Sequence, residues 1–426
     1  MESEHLIVRI FLLYSIMTKE LFKDIIKYLF EILKNSEFEN HIYAVGGSVR
    51  DYIMGNEIKD IDLVLDIPDG GIKLAKYLSM CNLLCYAPVL YPTYGTCQFR
   101  LSKFPEHELE AVHTRGEQYH DKNSRKPVTH FSTILDDSMR RDLTINALYY
   151  DVFTGEIWDP TKHGIDDIKN HVIRTTNENP DIIFNDDPLR ILRVIRFASR
   201  YDWEIEEKTY VSLKSFVDRL NIISNERINA EIVSMIGGPH PENAFEYLCD
   251  SHIFEKVVGN INADIKQNIF NAFKKCTADV SIYSRLAVLY ASFADVEDRM
   301  HELKFSNNDI SRVSKIISHI HDFDHDVSDK TIRRIQYAFG NRELFFEYLK
   351  TLNILGCFGF CSLIEELTND GTCNMFEYKL PVTGDDVMRE YNIEQGPKVK
   401  KYLDRMLDYA FECPNANYDE LIKICR

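Results

Sequence analysis

Apolar residues follow one rhythm in the first part of the chain and another in the rest. Between Tyr43 and about Arg174 they gather in short runs bounded by Gly, Asn, Asp and Pro, the pattern of strands joined by turns and short helices. From Pro180 to the C-terminus they recur mostly at helical spacing, and no strand-rich region is predicted there. Ahead of the first strand, Leu21, Ile25, Ile26, Leu29, Phe30 and Leu33 line one face of a helix over Thr18 to Asn35, which should pack behind that strand. The expectation is an α/β head over residues 17–155 and helical regions after it.

The stretch from Tyr43 to Leu65 reads YAVGGSVRDYIMGNEIKDIDLVL. An apolar run ends in Gly46 and Gly47, and a helix-like segment carries Arg50 and Asp51. Met54-Gly55-Asn56 stops that segment, and a second apolar run contains Asp60 and Asp62. Glycines after a strand let backbone N–H groups approach an anion, and the N-terminus of the following helix adds its positive dipole end. Asp60 and Asp62 are two apart, so on a strand they share a face. Side by side they repel unless a divalent cation sits between them, as a two-metal phosphoryl or nucleotidyl transfer site requires. Alone, a Gly-Gly pair is a common turn and Asp-x-Asp a common solvated strand end. Their combination in one short strand–helix–strand unit points to a phosphate cradle beside metal-binding carboxylates.

Further along, Gly70-Gly71 opens a helix-like run to Met80, and Leu83 to Leu101 reads as strands broken at Tyr94-Gly95. From His107 the string HELEAVHTRGEQYHD begins as a strand in which Glu108 and Glu110 alternate. Glu110 could bring a third carboxylate to the metal face, or be an exposed strand residue. Asp121 to Thr133 is polar and basic without periodicity, which predicts a mobile loop. Arg140, Arg141, Asp142 and Asn146 offer phosphate donors, a ribose-hydroxyl acceptor and a second polar contact, or else a capped helix with surface arginines. Trp158-Asp159-Pro160 through Ile173 reads as a turn and a short helix.

Asn185 to Arg200, NDDPLRILRVIRFASR, is the second informative stretch. Asp187-Pro188 marks a helix start, with Pro at the first helical position. Arg190, Arg193 and Arg196 follow at steps of three among Leu189, Leu192, Ile195 and Phe197. Asp187 could simply cap the helix and the arginines line a solvated face. Alternatively, an aspartate and an arginine three apart on one helix face read a base edge. A carboxylate accepts from an exocyclic amine and a guanidinium donates to a ring nitrogen. Cytosine and adenine present that pair of groups, whereas guanine and uracil present a carbonyl beside an N–H. One Asp/Arg pair would then select C and A without a template.

Composition adjusts this picture at two points. The formal charge of −17 over 426 residues excludes a generally basic surface, so a nucleic-acid partner would be met by a local basic patch. Ten cysteines without CxxC pairs suggest buried thiols in a reducing compartment, with Cys81/Cys85 and Cys357/Cys361 on helix faces rather than at a metal. Leu6 to Met17 is apolar but interrupted by Arg9 and too short to span a membrane, so it is expected to be part of the first helix or an extension over residues 1–16. The expected compartment is the cytoplasm.

Taken together, these motifs resemble the class II tRNA nucleotidyltransferase (CCA-adding enzyme) and bacterial-type poly(A) polymerase family. The first stretch is similar to that family's GGxVRDxxxGxxxxDxD, and RRDLTINAL to its RRDxTINA. HTRGEQY, DDPLRILRVIRFASR and SNERINAE follow in the family's order. LKFSN at Leu303 to Asn307, LPVTGDDVM at Leu380 to Met388, and Gly396-Pro397 are similar to its body and tail helices. The likeness runs from about residue 20 to the end.

The resemblance implies a polymerase-beta-like mixed-sheet nucleotidyltransferase head, followed by an all-α neck (156–250), body (251–345) and RNA-binding tail (346–426). It implies that Asp60 and Asp62 hold two magnesium ions, with Glu110 a further catalytic carboxylate. Gly46, Gly47 and Arg50 would cradle the triphosphate of CTP or ATP, while Asp142 and Asn146 would fix ribose and phosphates. Asp187 and Arg190 would read the base, assisted by Asp186 and supported by Arg193 and Arg196. Arg115 would couple head to neck, and Glu226-Arg227 would fix the helix turn beside the base-reading pair. The family's common motif has Glu where this chain has Asp186, one methylene shorter, so Asp187 and Arg190 carry more of that role.

The implied activity is template-independent addition of CCA to the 3′ end of tRNA. Poly(A) synthesis and addition of CC or A alone share the same motifs, and an inert RNA-binding protein is the alternative of a different class. Arg333, Arg334, Lys398, Lys400 and Lys401 are candidate RNA contacts in the helical half. The string HDFDHD at His321 to Asp326 is expected to be a solvated loop rather than a phosphohydrolase centre. No membrane partner is expected.

Overall fold

The computed structural model describes residues 17–92, 95–118, 128–324, 326–356, 361–369 and 374–425. The expected extension over residues 1–16 lies outside them. The chain forms two compact units, one of residues 1–231 and 247–253, the other of residues 232–246 and 254–426.

The first unit opens with α1 (Lys19–Leu33), capped by the Thr18 side chain accepting from Leu21 N. Phe22, Ile25, Ile26, Leu29 and Leu33 are buried on its inner face, each worth about 2 kcal/mol relative to exposure. Next come β1 (Ile42–Val45), α2 (Gly47–Met54), β2 (Ile61–Leu65), α3 (Gly70–Met80), β3 (Val89–Tyr91), β4 (Thr96–Arg100) and β5 (Glu108–His113). After the hairpin β6 (Arg115–Gln118) and β7 (Val128–Phe131) follow α4 (Ile134–Met139), a 3-10 turn at Thr144–Asn146, β8 (Tyr149–Asp151) and β9 (Ile157–Trp158).

Seven strands form one mixed sheet in the order β3-β4-β5-β2-β1-β8-β9, in which β2 and β5 alone run parallel. One face packs against α3, which lies against β2, β4 and β5. Gly71 permits that approach: a methyl group there would stand 2.3 Å from Ala111 O. On the opposite face Tyr43, Val45, Val64 and Tyr149 form a small core with Val112 and Ile134. The stretch of that face carrying Asp62, Glu110 and Gln98 sits beside it, because Asp62 pairs with Glu110 and Glu110 with Gln98.

Beyond the sheet lie α5 (Gly164–Asn170), β10 (Val172–Ile173), α6 (Pro180–Asp186), α7 (Leu189–Tyr201), β11 (Glu204–Ile205), α8 (Glu207–Ser215) and the start of α9 (Asn225–Ile236). The second unit is helical. In it α10 (Ile282–Tyr290) packs on α11 (Asn307–Ser318) and α12 (Arg342–Leu355), while α13 (Gly384–Tyr391) and α14 (Tyr418–Ile424) pack on Pro397–Glu412. Arg285 is buried there and donates to the carbonyls of Ile236, Gly238, Thr277 and Val280.

Several local expectations change. Residues 128–131 form β7, antiparallel to β6, where a loop over Asp121 to Thr133 was expected. Val128 and Phe131 do not alternate, so the strand carries no period-two signal, and residues 119–127 lie outside the described ones. Cys81 caps the end of α3 and Cys85 lies beyond it, so the two do not share a helix face, and Cys357 lies outside the described residues. Of the eight described cysteines, all free, Cys81, Cys85 and Cys413 are exposed and Cys97, Cys249 and Cys361 buried. Pro188 stands one position earlier than expected, at the N-cap of α7.

Candidate active site

β1 runs into Gly46, whose φ of 75° lies in the left-handed region that glycine adopts at no steric cost. A methyl group at Gly46 would lie 3.5 Å from Arg141 Nη1 and 3.8 Å from Asp62 Oδ2, so turn, guanidinium and carboxylate share one small volume. The N–H groups in the first turn of α2 have no intrahelical acceptor and are available to an anion. Gly46 N already donates to Leu148 O at 3.3 Å, so the available donors begin at Gly47.

Asp60 immediately precedes β2 and Asp62 is its second residue, both exposed. Asp62 is accessible to water, yet protein atoms crowd its carboxylate. That partial burial, helped by the charges of Glu110 and Asp60, outweighs Arg141 and pushes its pKa up to about 6. Among the described residues no three His, Cys, Asp or Glu side chains are already drawn together as a metal cage. Mutually repelling carboxylates with oxygen-only donors nevertheless fit magnesium, which completes its shell with water and substrate phosphates.

Arg141 is held from beneath. Asp137 is buried and accepts from Arg140 Nη2 at 2.7 Å, Arg141 Nη2 at 3.0 Å and Tyr149 OH at 2.6 Å. Burial disfavours its charge, but the two guanidiniums and the phenol hold its pKa well below the ordinary carboxylate range. With Nε and Nη2 engaged by Asp137, Arg141 presents Nη1 to Gly46 and Asp62. Arg141 is visible in the sequence as a candidate phosphate donor, whereas Asp137 carries no signal beyond its i, i+4 spacing to Arg141. Arg115 joins the same anchor through its backbone, its N–H donating to Asp137 Oδ1 and its carbonyl accepting from Arg140 Nε.

The Arg50 guanidinium packs against the Gly47 turn, its Nη2 3.4 Å from where a methyl group at Gly47 would stand. It is buried, with Nε and Nη2 on the Asp51 carboxylate at 3.0 and 2.7 Å and Nη1 on Asn146 Oδ1 at 2.5 Å. Its guanidinium lies 5.3 Å from the Phe197 ring centre and 5.5 Å from that of Tyr201, both on α7. Asn146 donates in turn to Asp142 Oδ1 at 3.2 Å, and Arg193 Nε and Nη2 meet Asp142 Oδ2 at 2.7 and 2.6 Å. Arg196 pairs with Glu231 at 2.6 Å, and Arg193 approaches Glu231 at 4.0 Å. A continuous polar chain thus runs from α2 through the 3-10 turn to α7. Burial opposes the charge of Asp142, yet Arg193 and Asn146 lower its pKa to about 2.

The proposed base-reading pair sits where α6 meets α7. Asp187 accepts from Leu189 N at 3.1 Å, as a cap does, and from Arg227 Nη2 at 3.0 Å, so of the Glu226-Arg227 pair it is Arg227 that contacts this turn. Arg190 is buried and donates to Arg140 O at 2.6 Å and Ile183 O at 3.3 Å, tying the turn to the arginine pair. Asp186 is the last residue of α6 and partly buried.

In the second unit Arg333 is buried and donates to Phe411 O at 3.1 Å, so it is a packing residue and not a surface RNA contact. Arg334, Lys398, Lys400 and Lys401 are exposed. His321 pairs with Asp324 at 2.9 Å in an exposed turn, and His325 lies outside the described residues. No helix among the described residues is long and apolar enough to cross a membrane.

A mixed sheet bearing carboxylates beside a Gly-Gly turn, with a helical remainder, defines a nucleotidyltransferase. Residues 42–174 match the model of the poly A polymerase head domain, and residues 202–265 that of the probable RNA and SrmB-binding site of polymerase A. The CCA-adding enzyme of Staphylococcus saprophyticus is 28% identical over 403 residues, covering 92% of this chain and 95% of the relative. That of Lactobacillus helveticus is 31% identical over 290 residues, covering 67% and 69%. The structure of the Bacillus stearothermophilus CCA-adding enzyme in complex with CTP superposes with a TM-score of 0.72 at 19% identity over 93% of this chain and 94% of that one, a likeness of fold. The chain belongs to the CCA-adding tRNA nucleotidyltransferase family.

Proposed function

We propose that this chain adds C, C and A, from CTP and ATP, to the 3′ end of tRNA without a template. The observation that carries the reading is the register of Asp62 with Glu110 beside the Gly46 turn and the Arg141 guanidinium. The relatives' names as CCA-adding enzymes support the substrate. In the reaction the terminal 3′-hydroxyl attacks the α-phosphorus of the bound triphosphate, and pyrophosphate leaves.

The first turn of α2 and Arg141 bind the triphosphate, Gly46 and Gly47 letting it come close. Two magnesium ions on Asp60 and Asp62, with Glu110 nearby, would lower the pKa of the hydroxyl and neutralise the leaving group. Asp187 and Arg190, with Asp186, read the base edge, and Arg193 and Arg196 hold their helix in place. Arg50, Asp142 and Asn146 brace the floor of the site and Arg115 its anchor at Asp137. We assign the head and the neck up to residue 231 to the first unit, and the body from residue 254 with the tail to the second, where exposed Arg334, Lys398, Lys400 and Lys401 meet RNA phosphates. The free cysteines suit a reducing cytoplasm.

The test supplies tRNA transcripts lacking the tail, ending in C, or ending in CC with CTP, ATP or both. Completion to CCA and no further is expected. Long tails from ATP alone would make it a poly(A) polymerase, a single nucleotide type a partial enzyme, and no incorporation an RNA-binding protein.

A further inference from the structure

The face of the sheet that carries Asp62 continues past the carboxylates to the sheet edge. Register places Asp62, Glu110, Gln98 and Val89 in one row across β2, β5, β4 and β3, and Tyr91 stands two residues from Val89 on the same face. Side-chain bonds confirm the alignment: Tyr91 OH donates to Gln98 Oε1 at 3.2 Å and Gln98 Nε2 to Glu110 Oε2 at 3.3 Å. The residues between them in sequence, Cys97, Phe99, Leu109 and Ala111, point the other way and are buried. On the open side Val89 is 48% and Tyr91 41% exposed. An aromatic ring and a branched aliphatic side chain on an edge strand invite aggregation unless something covers them.

We propose that this strip is the track of the acceptor strand, and that Tyr91 with Val89 seats a base of the single-stranded 3′ end while the terminal hydroxyl lies at Asp62. This rests on the function proposed above. The occupant follows from continuity and distance: the strip begins at the reacting carboxylates and reaches β3 about 14 Å away, three strand spacings, a span covered by the last few nucleotides. An aromatic side chain on an open sheet face is a sequence-tolerant platform for a base. Such tolerance is needed here, because the end of the strand changes with each addition. The Tyr91–Gln98–Glu110 bonds show that the ring and the catalytic end lie along one continuous strip. Tyr91 is thus a positioning residue for RNA, with no part in binding the triphosphate.

The first experiment is photo-crosslinking of the intact wild-type protein to tRNA carrying 5-iodocytidine as the last or penultimate nucleotide. Crosslinks mapped to Val89 or Tyr91 are expected, and crosslinks confined to the second unit or to α7 would overturn the proposal. The second compares steady-state kinetics of Tyr91→Ala and Tyr91→Phe. The alanine variant should raise KM for tRNA about tenfold with KM for CTP unchanged, and the phenylalanine variant, keeping the ring, should restore it. An unchanged KM for tRNA, or a rise for CTP instead, would refute the track. Wild-type protein that incorporates no nucleotide would sink the functional reading itself, whereas an active wild type indifferent to Tyr91 sinks this inference alone.

Discussion

Arg193 grips one oxygen of Asp142 with two nitrogens, at 2.6 and 2.7 Å, across 51 residues of sequence. Asp142 was expected to face the ribose, but its other oxygen accepts from Leu143 N and Asn146 Nδ2, so the buried carboxylate is fully engaged within the protein. Removing the guanidinium leaves a buried charge unpaired. Arg193→Ala should therefore cost about 3 kcal/mol of stability, read as a lowered urea midpoint. A variant as stable as wild type would show that water or another cation replaces Arg193.

The same pair sets an acid limb. Asp142 has a folded pKa lowered from 3.8 to about 2, so its stabilisation is complete above the unfolded value and is lost as pH falls from about 4 to 2. Its share is about 2 kcal/mol. Asp142→Asn should flatten the decline of unfolding free energy over that interval, measured by urea titrations at stepped pH, and an unaltered slope would count against the lowered pKa.

Gly71 gives a test of the scaffold alone. A Cβ would stand 2.3 Å from Ala111 O and 2.9 Å from Gly95 O, backbone atoms that cannot swing aside. Gly71→Ala should destabilise the protein by about 2 kcal/mol, in the range of overpacked cores. A thermal melt within a degree of wild type would mean that α3 shifts freely on the sheet.

These examples separate what a sequence displays from what folding alone assembles. Gly46, Asp60 and Asp62 are legible because strand, turn and helix are local and each residue type has few other reasons to stand there. The α/β head and helical remainder are legible from periodicity for the same local reason. Glu110 could only be guessed, since the parallel pairing of β2 with β5 sets its row. Arg50 and Arg193 were visible as cations, but whether each meets substrate or protein depends on partners 96 and 51 residues away, Asn146 and Asp142. Asp137 offered no signal beyond spacing, because its value lies in burial beneath two arginines.

Arg141 lends itself to a kinetic test because its two roles divide by atom. Nε and Nη2 are spent on Asp137, and Nη1 faces the Gly46 turn. Arg141→Lys keeps a charge but loses the fork that serves both sides. Its kcat/KM for CTP should fall at least a hundredfold, about 2.7 kcal/mol in transition-state stabilisation, with tRNA affinity in a filter-binding assay unchanged. Parallel loss of tRNA binding would indicate a collapsed head instead.

The carboxylates and the base reader should fail in different ways. Asp60→Ala and Asp62→Ala should abolish turnover while tRNA still binds, and residual activity in both would remove them from the metal site. Arg190 is tethered to two main-chain carbonyls, so its loss disturbs the turn that presents Asp187 more than the triphosphate cradle at α2. Arg190→Ala should therefore let GTP and UTP compete, lowering the preference for CTP at the first addition by tenfold or more, about 1.4 kcal/mol. KM for the triphosphate should rise much less. Incorporation assays with each of the four nucleotides in turn decide the matter, and a variant that is slow but as selective as wild type would transfer base recognition to other residues.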